Sequence, residues 1–152
     1  MISLRRTEDI GELMQWREEV IRHVFGMVPG EKLLKANEEY YRSHVPSGEH
    51  IAFIAEINGT NAGCGSLCLS EELPSPDNPD GRCGYLMNIY VREEYRTHGV
   101  GHAVVRKLIE EAKNRGCGKI YLETTSDGRK LYESMGFADL PDMMKLHGYA
   151  DS

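Results

Sequence analysis

The run Arg96-Thr97-His98-Gly99-Val100-Gly101 gathers a cation, two glycines and small polar groups into six residues. Glycines let backbone N–H groups approach an anion closely, and a helix starting there would add the positive end of its dipole. Arg96 would contribute a charge-assisted donor. A diphosphate needs several donors aimed inward from one turn, which this spacing can supply. Two familiar phosphate loops do not fit. Gly99 and Gly101 are not followed by the third glycine of a dinucleotide turn, and the GxxxxGK[ST] pattern is absent. Glycines between a strand and a helix are also ordinary turn formers, so the run alone leaves both readings open.

Other reactive residues are sparse. His98 and His102 lie four apart, but without an HExxH glutamate or a third ligand they do not define a metal site. Cys64, Cys68, Cys83 and Cys117 form no CxxC pair and no zinc-like spacing with histidine. They read as reduced thiols, and Cys64 and Cys68, four apart in a strand, as small packing residues on one face. No GxSxG elbow is present. The cluster Glu38-Glu39-Tyr40-Tyr41 could attract a cationic amine, but an exposed helix face has the same composition.

These residues need elements to position them. Ile10, Leu13, Met14, Ile21 and Phe25 recur at helical spacing behind an acidic start at Thr7-Glu8-Asp9, predicting a first helix that ends near Gly26. A second helix is expected from about Glu31 to His44. Ile51–Ile57 and Ala62–Leu69, joined by Asn58-Gly59, read as a hairpin. The segment 73–81 holds three of the six prolines and reads as a surface loop. Cys83–Val91, apolar on both faces, describes a central covered strand. A helix from near Gly101 to Arg115, a strand Lys119–Thr125 and a short helix Asp127–Met135 should follow. One or two last strands are expected after Phe137, the better at Met143–Leu146. The order predicts an α/β fold with helices on a central sheet.

The 152 residues suit one domain, expected to span 1–152. Twenty-four acids against 18 bases give a net charge of −6, a poor match for nucleic acid or an anionic membrane. No apolar run approaches the roughly 18 residues of a membrane span. The first residues, Met1-Ile2-Ser3-Leu4-Arg5-Arg6, carry bases without an apolar run behind them, which does not read as a signal peptide. A cytoplasmic protein is the expectation.

Tyr85-Leu86-Met87-Asn88-Ile89-Tyr90-Val91, followed by Glu94-Tyr95-Arg96-Thr97-His98-Gly99-Val100-Gly101, strongly resembles the central motif of the GCN5-related N-acetyltransferases. That loop reads Arg/Gln-x-x-Gly-x-Gly/Ala in the family and binds the pyrophosphate of acetyl-CoA. Downstream, Leu131-Tyr132-Glu133-Ser134-Met135-Gly136-Phe137 resembles the family's Leu-Tyr-Glu-x-x-Gly-Phe. The resemblance implies a mixed, mostly antiparallel sheet flanked by helices, with splayed central strands.

It also implies roles. Ile89, Tyr90 and Val91 would pair through their backbone with the pantetheine arm. Arg96, Thr97, His98, Gly99, Val100 and Gly101 would wrap the pyrophosphate. Tyr132 stands where the family's tyrosine protonates the departing CoA thiolate; a phenol, with pKa about 10, is protonated at neutral pH. Thr125 stands where the family often has Asn. Where members with a base on the central strand have Glu or His, this chain has Tyr85 or Met87, neither a good base. Glu71, Glu72, Glu123 or a chain of waters could take the amine proton instead.

The function so implied is transfer of an acetyl group from acetyl-CoA, without a metal, to a primary amine of a small molecule. A peptide acceptor, a protein N-terminus or lysine, is the alternative, and a non-catalytic CoA sensor a third. The long loop at 73–81, if it closed over a pocket, would favour a small acceptor. Members of the family commonly form homodimers.

Overall fold

A computed structural model describes residues 1–148. In chain order it contains β1 (Ile2–Thr7), α1 (Ile10–Val24), α2 (Glu31–His44), β2 (His50–Ile57), β3 (Thr60–Glu71), β4 (Arg82–Val91), α3 (Val100–Asn114), β5 (Lys119–Leu122) and α4 (Arg129–Ser134). The five strands form one sheet in the order β1-β2-β3-β4-β5. The first four neighbours run antiparallel, and β4 pairs with β5 in parallel.

Side-chain alternation divides the sheet between two layers. Ile51, Phe53 and Ala55 of β2, Leu67 of β3 and Leu86 of β4 pack on one face beneath Val100, Val104, Val105, Leu108 and Ala112 of α3. On the other face Ala52, Ile54, Cys64 and Tyr90 meet Leu13, Trp16 and Val20 of α1 and Tyr41 of α2. Sequence periodicity located the helices on this basis. Asp9 caps α1, its carboxylate accepting the Glu12 N–H at 3.1 Å. Asn58 and Gly59 both take positive φ, 50° and 83°, as a tight two-residue hairpin turn requires.

Three expectations need correction. The chain opens with an edge strand, where the sequence reading began with a helix. Only six residues long, β1 gave no run of apolar residues, and its Ile2 and Leu4 reach the core by alternation. Second, 137–148 holds no strand. Met143, Met144 and Leu146 are exposed, and β5 ends at Leu122 with no partner on its outer side among the described residues. Third, Phe25 lies beyond the end of α1 and is 62% exposed instead of lining its inner stripe.

The loop at 73–81 is folded back on its own base. Buried Asn78 donates through Nδ2 to Glu72 Oε2 (3.1 Å) and to the Arg82 carbonyl (3.2 Å). Glu72 also accepts from Lys119 Nζ at 3.2 Å. These bonds hold the loop at the start of β4, whereas Arg96–Gly101 follows its other end. Ten strand residues separate the two, roughly 30 Å. The loop therefore does not cover that turn.

One ionisable group is buried beneath α2. His50, at the start of β2, is 3% exposed; its Nδ1 lies 2.9 Å from the Tyr40 hydroxyl, and its Nε2 has no partner. Burial, and then the charges of His44 and Arg17, lower its pKa from 6.5 to about 4. As pH falls, the unfolded chain binds this proton first. The stability contributed by neutral His50 is thus complete above about 6.5 and is lost as pH falls toward about 4, on the order of 3 kcal/mol. Urea unfolding of the protein and of His50→Gln should show the difference in free energy changing by about that amount between pH 7 and pH 4. A difference that stays constant would refute burial of a neutral imidazole.

Candidate active site

The fold leaves one internal seam open. β5 pairs with β4 only over Cys83–Leu86, opposite Lys119–Leu122. From Met87 to Val91 the β5 side of β4 meets no strand among the described residues, while its other side continues along β3. A bulge marks the change. Gly65 of β3 faces two residues of β4, Asn88 and Ile89, and Asn88 adopts a left-handed φ of 56°. The Asn88 carbonyl lies 3.3 Å from Cys64 Sγ, and its side-chain oxygen accepts from Arg17 Nη1 at 2.8 Å. Arg17 Nε donates to Asn37 Oδ1 of α2 at 2.9 Å. One guanidinium thus joins α1, α2 and the bulge.

Beyond the seam the chain turns through Glu93–Tyr95 into Arg96–Gly101. Arg96 Nε donates to the Val91 carbonyl at 3.3 Å, and the Arg96 carbonyl lies 2.8 Å from His98 Nδ1. Thr97 and Gly99 both take positive φ, 68° and 82°. Gly99 is the N-cap of α3 and provides no capping side chain. The N–H groups of Val100, Gly101 and His102 open the helix and have no intrahelical acceptor. Gly101 is needed for a second reason. A Cβ there would lie 3.2 Å from Leu131 of α4 and 3.7 Å from Val91, so its absence brings the start of α3 close to both. Bare donors, a helix dipole and an exposed Arg96 make this turn fit for a pyrophosphate.

Tyr132 lies half-buried in α4, its ring edge-on to Phe137 at 5.9 Å. Burial raises its phenol above the ordinary value, and the hydroxyl makes no bond to the protein among the described residues. The group is therefore held protonated. Thr125 sits in the turn between β5 and α4, exposed, with its carbonyl taking the Gly128 N–H at 3.2 Å.

The three candidate carboxylates part company. Glu72 is committed to Asn78 and Lys119, which lower its pKa. Glu71 is exposed at the end of β3. Glu123 follows β5 beside Tyr85. The phenol of Tyr85 is raised to about 12 by burial first and by Glu123 second, and its ring lies 4.9 Å from that of Tyr121. The helix cluster at 38–41 also divides. Glu38 pairs with Arg42 on the surface, whereas Tyr41 is buried and Tyr40 points inward to His50 and Cys68. His98 and His102 join no cluster of three metal-ligating side chains among the described residues.

Sequence reasoning missed Arg17, Asn37 and Asn88. Only Asn88 left a trace, as a polar residue inside an apolar strand, since asparagine tolerates left-handed φ.

A parted strand leading into an uncapped, glycine-opened helix defines an α/β protein that can receive a long, phosphate-bearing ligand edge-on to its sheet. The chain belongs to the acetyltransferase (GNAT) family, whose model matches residues 12–137. It is 31% identical over 104 residues to thialysine N-epsilon-acetyltransferase of Sus scrofa, covering 54% of this chain and 61% of that protein. With glucosamine 6-phosphate N-acetyltransferase 1 of Oryza sativa subsp. japonica it shares 29% over 101 residues, 65% of this chain and 59% of the other. The alignments thus span about three-fifths of these relatives' lengths. Among solved structures, a predicted acetyltransferase from Clostridium acetobutylicum with acetyl-CoA superposes at a TM-score of 0.86. It shares 26% identity, with 96% of each chain covered.

The bulge yields a test. Asn88→Val should cost about 3 kcal/mol, from a β-branched residue in left-handed backbone and loss of the bond from Arg17. Asn88→Gly should cost about half as much, because it loses only that bond. Urea midpoints would measure both. Valine tolerated as well as glycine would refute a backbone constraint at 88.

Proposed function

We propose that this protein is an N-acetyltransferase that moves an acetyl group from acetyl-CoA to a primary amine of a small molecule. The observation that carries the reading is the parted β4 strand leading directly into the bare N-terminus of α3. Family membership and relatives named for amine acceptors support it. In this reading residues 1–152 form one acyl-CoA N-acyltransferase domain. Four free cysteines agree with a cytoplasmic setting.

Backbone groups of Ile89, Tyr90 and Val91 would bind the pantetheine amides as an added strand would. Arg96, Thr97, His98, Gly99, Val100 and Gly101 would hold the pyrophosphate, and Thr125 a cofactor amide or a water. The amine nitrogen attacks the thioester carbonyl directly, forming the C–N bond. A backbone N–H of Ile89 or Tyr90 takes the oxyanion. The C–S bond then breaks, and Tyr132, kept protonated by burial, gives its proton to the thiolate. Glu123, which acts on the Tyr85 phenol beside the seam, would take the amine proton, directly or through water.

Two substitutions test this. Tyr132→Phe should lower turnover by about 10²-fold, the usual share of a general acid, while acetyl-CoA affinity changes little. Equal turnover would remove Tyr132 from the reaction. Gly99→Glu places a carboxylate at the proposed phosphate turn and should abolish acetyl-CoA binding by calorimetry. Binding retained by that variant would refute the turn's assignment.

A further inference from the structure

We propose that the acceptor carries an anionic group, a carboxylate or a phosphate, besides its amine, and that Arg17 binds it; this rests on the N-acetyltransferase reading above.

Arg17 is half-buried beside the mouth of the seam, and its two identified protein bonds go to neutral amides, Asn37 and Asn88. No carboxylate lies within 4.0 Å of it among the described residues. Other half-buried arginines here are neutralised: Arg5 by Glu12 and Glu56, and Arg92 by Glu19. A cation withdrawn from water without a counter-ion is costly, and the fold has made this one rigid without neutralising it. Two amide oxygens and the Phe25 ring, 5.6 Å away, fix the guanidinium, leaving Nη2 without a protein acceptor. A planar donor pre-oriented in this way suits an oxyanion.

The complementary charge lies across the same opening. Tyr85 of β4 is level with Tyr121 of β5. Both share a sheet face with Cys68, which is bonded to Tyr40 of α2. Glu123 directly follows β5 and acts on the Tyr85 phenol, and Asn88, the anchor of Arg17, lies three residues beyond Tyr85 on β4. The face between α1, α2 and the seam therefore offers a fixed cation on one side and a free carboxylate on the other. A molecule with both an ammonium and an anion satisfies the two together. A polyamine would bring a second ammonium toward Arg17, which like-charge repulsion opposes.

The test uses CoA thiol release with two matched pairs of acceptors: lysine against cadaverine, and glucosamine 6-phosphate against glucosamine. The intact protein should prefer the anionic member of one pair by about tenfold or more in kcat/KM, and that pair distinguishes carboxylate from phosphate. Arg17→Gln should bring the ratio close to one, chiefly through KM, and Arg17→Lys should restore part of it. Because Arg17 also joins three elements, a measurement without variants stands beside these. Hexanoate or glucose 6-phosphate, anions that carry no amine, should inhibit the intact protein competitively against the preferred acceptor. Thiol release with no preference in either pair, or a preference unchanged in Arg17→Gln, overturns the anion site while the transferase reading stands. Release with none of the four amines overturns the transferase reading, and this proposal with it.

Discussion

The bulge at Asn88 is the constraint on which the site depends. A strand between two partners has its backbone groups occupied on both sides, and a ligand can pair with it only where one partner is gone. Here β5 stops at Leu122, and the extra residue in β4 bends the strand where that support ends. Left-handed backbone at a residue other than glycine persists only when its surroundings hold it. Cys64 lies against the Asn88 carbonyl, and Arg17 holds its side chain. The opening therefore depends on a helix more than sixty residues away in the chain, which no local reading of β4 reveals.

How much was legible follows from how each feature is written in sequence. The helices, the hairpin and the glycine turn before α3 are local: periodicity, Asn58-Gly59 and Gly99-Val100-Gly101 each carry their own signal. The α/β class followed from the order of the elements, and the family from two motifs in register. The edge strand β1 did not, because Ile2 and Leu4 gain their meaning only from pairing with β2. Met143–Leu146 showed the reverse error. Its apolar residues resembled a strand, but a strand needs a neighbour, and these side chains face water. Arg17 looked like any polar residue on an amphipathic helix; only the third dimension brings Asn37 and Asn88 to it.

The two faces of the sheet divide the chemistry. On the α3 side are the uncapped N–H groups of its first turn and, through α4, the half-buried Tyr132. On the α1 and α2 side are Arg17, Tyr85, Tyr121 and Glu123. Two reactants entering from opposite layers would meet at the gap between β4 and β5, with neither binding surface blocking the other. Gly101 belongs to the same economy of space, since α3 and α4 can flank the gap closely only without its side chain.

The sheet order also bears on assembly. β2, β3 and β4 follow one another through tight or tied loops, so their pairing closes short lengths of chain. Joining β5 to β4 requires closure across all of α3, and is rewarded by only four paired residues. Loop entropy grows with the length closed, and late, non-local pairing slows folding. Pairing β1 with β2 closes a longer stretch but gains six paired residues, so the seam between β4 and β5 is the join held by the fewest. Partial separation of these strands is the least cooperative loss available to the sheet, so the molecule can loosen at its working edge while the meander beside it remains intact.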